Sequence, residues 1–279
     1  MAAVVVLVVL SVVAVALVRA YAEVDGRFVA EWAGAHGLTL TRGNRPMVWW
    51  YLRNARVLRT WGVLGGVTLP PVAMAASGIQ GAGGPAVPAG LFAGHLAGAL
   101  YAEIALRRPV AAGTRTALVD RRDLTSYLPR HLRAAPAVVA TATAVLAVLV
   151  LRAGGVDPDR RREALVLGLL GPAVAVAIAL TQRWLVRRSQ PFRARDLVEA
   201  DDAIRSQSVH QLAGSGTAVL LTLLGAAANV AADSGLPGRA ALSMVVVLSW
   251  PAAVVSCLFL GHRAWRVRRH IGRTTVAVP

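Results

Sequence analysis

Seven apolar runs, each long enough to cross a bilayer or nearly so, constrain this chain more than any other feature. A helix rises about 1.5 Å per residue, so about 20 apolar residues span a hydrocarbon core roughly 30 Å thick. The runs fall at about 2–18, 57–77, 86–106, 136–151, 164–185, 213–232 and 240–261. They predict an all-α, polytopic integral membrane protein with one transmembrane domain over 1–261 and a basic tail over 262–279. Composition agrees, with 56% hydrophobic and 16% charged residues in a chain of 279.

Charge sets the expected orientation. All 30 basic residues are Arg, and the net charge is +16. In a soluble chain that balance suggests nucleic-acid binding. Here the Arg residues fill the links between apolar runs, where they orient helices, so no nucleic acid is expected. All but Arg152, Arg160, Arg161, Arg162 and Arg239 fall on one side of a seven-span layout with the N-terminus outside and the C-terminus inside. The positive-inside rule predicts that orientation. Such loops also attract anionic lipid headgroups, an expected partner beside the bilayer itself. The Arg-only, Ala/Val/Gly-rich usage points to a GC-rich genome and a bacterial cell membrane.

The first run lacks the basic n-region of a signal peptide, though Ala20-x-Ala22 matches a cleavage pattern. Arg19 just after it favours an uncleaved helix. Trp49, Trp50 and Tyr51 mark a boundary at headgroup level. Phe28, Val29, Trp32 and Ala35 share a face of a short interfacial helix, as do Leu197, Val198, Ala200, Ile204, Gln211 and Leu212 of a second one. Pro70-Pro71 is expected to kink or end the second span, and Pro129 to break the segment before the fourth.

Tyr101-Ala102-Glu103-Ile104 echoes Tyr21-Ala22-Glu23-Val24 at an offset of 80, and Leu52-Arg53 recurs as Leu132-Arg133. A third unit matches less well. The expectation is a three-fold repeat of hairpins in parallel orientation, plus a seventh helix. The Pro-x-[Asp/Glu]-x-x-[Lys/Arg] signature of mitochondrial carriers is absent.

Candidate chemistry is sparse. His95 is the one ionisable side chain deep in a span, a candidate proton relay, ligand contact or metal ligand, and with Asn229 it makes a candidate intramembrane polar site; the bland alternative is a neutral imidazole hydrogen-bonded to Asn229 or a Thr as helix glue. Glu23, Glu103 and Arg183 form a candidate cytoplasmic ion-pair gate, weighed against simple i,i+4 pairs with Arg27 and Arg107. Gly90, Gly94 and Gly98 form a small-residue stripe for close helix packing, which also suits a homo-oligomer or a membrane partner. Asp196, Glu199, Asp201 and Asp202 look like a solvated helix face with Asp201 and Arg205 paired. Cys257 reads as buried filler. No HExxH, P-loop or GxGxxG is present, no paired carboxylates or nucleophile–base set is visible, and without Lys no Schiff base can form. The expectation is therefore no enzyme activity, no cofactor and no metal. Transport- or channel-like function comes first, and a membrane scaffold or partner subunit is the alternative.

Overall fold

In the computed structural model, the described residues are 18, 24–76, 83–106, 123–188 and 194–260, with backbone alone at 70–76, 83–88 and 260. Among them there are eight α-helices and no strand: α1 (Gly26–His36), α2 (Arg45–Ala76), α3 (Gly83–Ala105), α4 (Leu124–Tyr127), α5 (Arg130–Arg152), α6 (Pro158–Arg187), α7 (Arg195–Asp233) and α8 (Arg239–Val255). A π-helical turn, Ser256–Leu260, extends α8. Among the described residues four helices are long and apolar enough to cross a membrane: α5, α6, α7 and α8 with its π turn. The expected first span and the tail after 260 lie outside the described residues.

The six long helices form three antiparallel hairpins in chain order, α2–α3, α5–α6 and α7–α8. Each hairpin is closed by small residues. A Cβ on Gly94 would meet the Gly62 carbonyl and lie 2.8 Å from the Gly66 Cα. A Cβ on Gly98 would lie 2.9 Å from the Arg59 Cα. The stripe read on α3 thus meets Gly62 and Gly66 on α2, backbone against backbone, the approach that small residues permit. Gly168 packs on Ala147 between α5 and α6, and Gly225 packs on Ser249 between α7 and α8.

Helix α7 is the centre of the molecule. Every residue from Ala200 to Leu220 is buried. Its most apolar window is 67% buried, against 17–28% for the corresponding windows of α5, α6 and α8. Those three helices instead expose Val138, Leu169, Leu180, Val247 and Phe259, each 58% or more. Water-soluble proteins rarely leave so continuous an apolar face uncovered; lipid covers it at no cost.

Several boundaries differ from the sequence expectation. Residues 197–212 and 213–232 are one 39-residue helix, roughly 58 Å long at 1.5 Å per residue. No Pro interrupts 195–233, so nothing stops the helix. From Ala200 onward the segment expected to lie flat at the interface is encased on all sides, and Asp201, Asp202 and Ser206 of its polar face are buried. Helix α2 likewise runs on to Ala76, through Pro70 and Pro71. Each proline keeps a helix-compatible φ, so the helix continues, but each deletes one N–H donor and leaves the carbonyl four residues earlier without its intrahelical bond. Asp157 caps α6 by accepting from the Asp159 N–H at 2.8 Å, with Pro158 at the first position, so the expected 152–163 loop shrinks to 153–157.

Helix α1 is tilted one residue from the expected face. Val29, Ala33 and His36 are buried, while Phe28 and Ala35 face outward. The Asp25 side chain caps it through the Phe28 N–H at 2.7 Å, and Gly37 in the left-handed conformation ends it. Thr41 and Asn44 then bond reciprocally, Thr41 N–H to Asn44 Oδ1 at 2.9 Å and Asn44 N–H to Thr41 Oγ1 at 3.1 Å. The Thr41 hydroxyl donates to Asp196 at 2.6 Å and so ties this turn to the start of α7.

Candidate functional site

The buried polar side chains of α7 do not scatter. Asp201, Arg205 and Ser208 are buried and recur every three or four residues, so they share one side of the helix. Gln211 continues the series into the apolar half. Opposite Ser208 and Gln211 stands the α2–α3 hairpin, which meets the rest of the molecule chiefly through α7.

Tyr51 and Glu103 supply the hairpin's side of this seam. The Tyr51 hydroxyl donates to Glu103 Oε1 at 2.8 Å and lies 3.0 Å from the Ser208 hydroxyl. Arg59 donates to the same phenol oxygen at 3.3 Å. Ser208 is within donating distance of Glu103 Oε1, at 2.6 Å, and of the Ile204 carbonyl, at 2.9 Å. A hydroxyl has one proton, so these two acceptors compete for it. Burial, and next the Glu103 charge beside it, push the Tyr51 phenol above its ordinary range. It therefore stays a neutral donor.

The other oxygen of Glu103 faces Arg188 at 3.9 Å. Arg188 also reaches Asp201 at 3.5 Å, and Asp201 accepts from the Arg205 Nε at 2.7 Å. Arg205 is wholly buried. Its Nη1 caps the end of α6, donating to the carbonyls of Leu185, Val186 and Arg188 at 3.2, 3.3 and 2.6 Å. A cation at a helix C-terminus satisfies carbonyls that have no intrahelical donor and complements the dipole. The result is a buried charge-bearing chain, Glu103–Arg188–Asp201–Arg205, joining α3, the end of α6 and α7. Tyr127 adds a fourth element, donating to Asp202 at 3.0 Å.

His95 continues the seam deeper along α3. Gln211 Nε2 lies 2.6 Å from His95 Nε2. The contact pairs a ring nitrogen with a side-chain amide, either of which can be the donor according to the imidazole tautomer and the amide orientation. Gln211 Oε1 is buried and has no hydrogen-bond partner among the described residues.

The sequence-derived candidates separate accordingly. His95 and Asn229 are not together: Asn229 is exposed and lies 3.4 Å from Asp233, and Gln211 takes its expected place. Glu103 is in the seam, but Arg183 is exposed, and the cation beside Glu103 is Arg188. Glu23 and Arg107 lie outside the described residues. Asp201 and Asp202 are not a solvated face; they are 5% and 6% exposed. Among the described residues no group of three or more His, Cys, Asp or Glu could hold a metal ion.

No sequence motif marks Tyr51, Arg188, Ser208 and Gln211 as one site. Tyr51 adjoins the exposed Trp49 and Trp50, yet the three residues point in different directions around the helix. Ser208 and Gln211 lie in a segment whose pattern fits a separate surface helix. The available signal was the three-to-four spacing of Asp201, Arg205, Ser208, Gln211 and Ser215 along a segment with no Pro. No protein-family model, no curated protein and no solved structure matches the chain.

Proposed function

We propose that this chain is a multi-pass membrane protein of transport- or channel-like type, in which the α2–α3 hairpin and the α5–α8 bundle part along the polar seam. The observation that carries this reading is the chemistry of that contact. Glu103, Tyr51 and His95 on one body face Ser208, Gln211 and Arg188 on the other. Ionisable side chains inside a membrane bundle are expensive, and they concentrate where ions, protons or substrates pass. Permanent contacts favour apolar cores, as the glycine contacts within the hairpin do, whereas hydrogen bonds can be exchanged for water when two bodies separate. Movement of one helical unit against another is how alternating access works.

In this proposal α2 and α3 are also spans. Together with the first apolar run they make seven, with the N-terminus outside and the Arg-rich ends of the helices in the cytoplasm of a bacterial cell. The charged chain from Glu103 to Arg205 then forms the cytoplasmic closure, with Arg188 in the role the sequence suggested for Arg183. The period of 80 is an ancestral trace of the hairpin architecture.

A second reading, a scaffold or partner subunit held against anionic lipid, has its own support. Arg53 lies 5.2 Å from the Trp49 ring and Arg56 4.7 Å from the Phe28 ring, so bases and aromatic rings cluster at the Arg-rich end.

The two readings diverge at Ser208, which is 1% exposed. In a Cys257→Ser background, a Ser208→Cys thiol in native vesicles should react with a small water-soluble maleimide if the seam parts. Full protection until the protein is denatured would remove the transport-like reading and leave the scaffold.

A further inference from the structure

We propose that the groove between α6, α7 and α8 is a binding site for one phospholipid with an ammonium headgroup, the headgroup of phosphatidylethanolamine. The groove encloses about 940 Å³, near the top of the range of about 300–1,000 Å³ for small-molecule sites. Its two ends differ in chemistry. Asp157, Asp159, Arg160, Arg162 and Glu163 form the rim at the start of α6. Below them the walls are Val166, Leu167, Ala226, Val230, Val246 and Trp250.

Dimensions suit one leaflet. Below the rim, the lining of α7 from Val230 to Thr222 covers roughly 12 Å at 1.5 Å per residue, within the roughly 15 Å of one leaflet of hydrocarbon. Val166 and Trp250 line the groove and are also 55% and 40% exposed, so it opens onto the apolar outer face that lipid covers. An acyl chain can enter sideways. Gly225 lets α7 approach Ser249 closely and so forms the floor.

The rim selects the headgroup. Arg160 is already held by Glu163 at 2.9 Å and Asp233 at 3.2 Å. Arg162 and Asp159 make no ion pair among the described residues, and at i,i+3 they share one face of α6. A guanidinium recognises a phosphate and a carboxylate recognises an ammonium. A rim with both signs fits a zwitterion, whereas phosphatidylglycerol satisfies Arg162 through its phosphate but its neutral glycerol brings no cation to Asp159.

Native mass spectrometry of the full chain, purified in mild detergent from a membrane holding phosphatidylethanolamine and phosphatidylglycerol, tests this. The expected result is one retained phosphatidylethanolamine. Ala226→Phe, which fills the groove, should abolish retention. The exposed-site variants Arg162→Ala and Asp159→Asn should each lower occupancy roughly tenfold, the loss of one charge-assisted contact. Retention of both lipids alike, or occupancy unmoved by Arg162→Ala and Asp159→Asn, overturns the proposal. This outcome is independent of whether the α2–α3 seam opens.

Discussion

Replacing Arg205 by Ala removes the side chain on which the end of α6 and the middle of α7 both depend. The guanidinium is wholly buried, holds Asp201 at 2.7 Å and supplies the donor for three carbonyls in the closing turn of α6. Breaking a buried ion pair from one side costs about 3–5 kcal/mol, because the other charge stays behind. Arg188, already 3.5 Å from Asp201, offsets part of that charge. It cannot reach the carbonyls of Leu185 and Val186 as well, and each orphaned acceptor costs about 1–3 kcal/mol. We expect Arg205→Ala to destabilise by about 4 kcal/mol, near 10 °C in thermal midpoint for a chain of this size. Arg205→Lys keeps the charge but not the planar fork, and should lose about half as much. Thermal unfolding followed by tryptophan fluorescence in detergent reads both, and a double-mutant cycle with Asp201→Asn isolates the pair. A loss below about 1 kcal/mol for Arg205→Ala, or strict additivity with Asp201→Asn, would refute the structural role assigned here.

Three further outcomes follow from the geometry. Gly94→Ala should cost about 1–3 kcal/mol, since its Cβ meets backbone of Gly62 and Gly66 that cannot rotate away; Gly65→Ala, whose Cβ meets only Leu69 at 3.9 Å, should be neutral or stabilising by up to about 1 kcal/mol. Burial holds the His36 imidazole below its ordinary value of 6.5, with its bond to the Trp32 carbonyl opposing. The unfolded chain therefore binds the proton more readily, so this contribution is complete above about pH 6.5 and is lost as pH falls below it; His36→Gln should flatten that slope in midpoint-versus-pH measurements. Thr41→Val removes the hydroxyl bonded to Asp196 at 2.6 Å, and limited proteolysis should then cut faster between 37 and 44, at a cost of about 1 kcal/mol.

Helix positions were legible because long apolar runs announce themselves, and the Gly90-Gly94-Gly98 stripe was legible because small residues at a spacing of four admit a second backbone. Its partner stripe, Gly62 and Gly66, also has that spacing but sits among bulkier residues. The polar seam was not legible, because polarity was read as exposure. Asp201, Asp202 and Ser208 belong to a helix whose first half carries one apolar face and one polar face, a pattern that fits a surface segment until neighbouring helices are placed round it. Long-range partners such as Tyr51 with Ser208, 157 positions apart, leave no local periodicity. Arg183 is exposed, and the end of α6 brings Arg188 to Glu103 instead, a choice that the sequence pattern alone does not make.

The central claim is that two helical bodies separate along the line from Glu103 to His95. Spin labels at the exposed positions Trp61 on α2 and Val138 on α5, in a Cys257→Ser chain reconstituted in lipid, report that separation directly by pulsed dipolar spectroscopy. Two resolved distance populations are expected, with Glu103→Gln raising the longer one by removing the charge that holds Arg188. A single narrow distance, unchanged by Glu103→Gln, would contradict it.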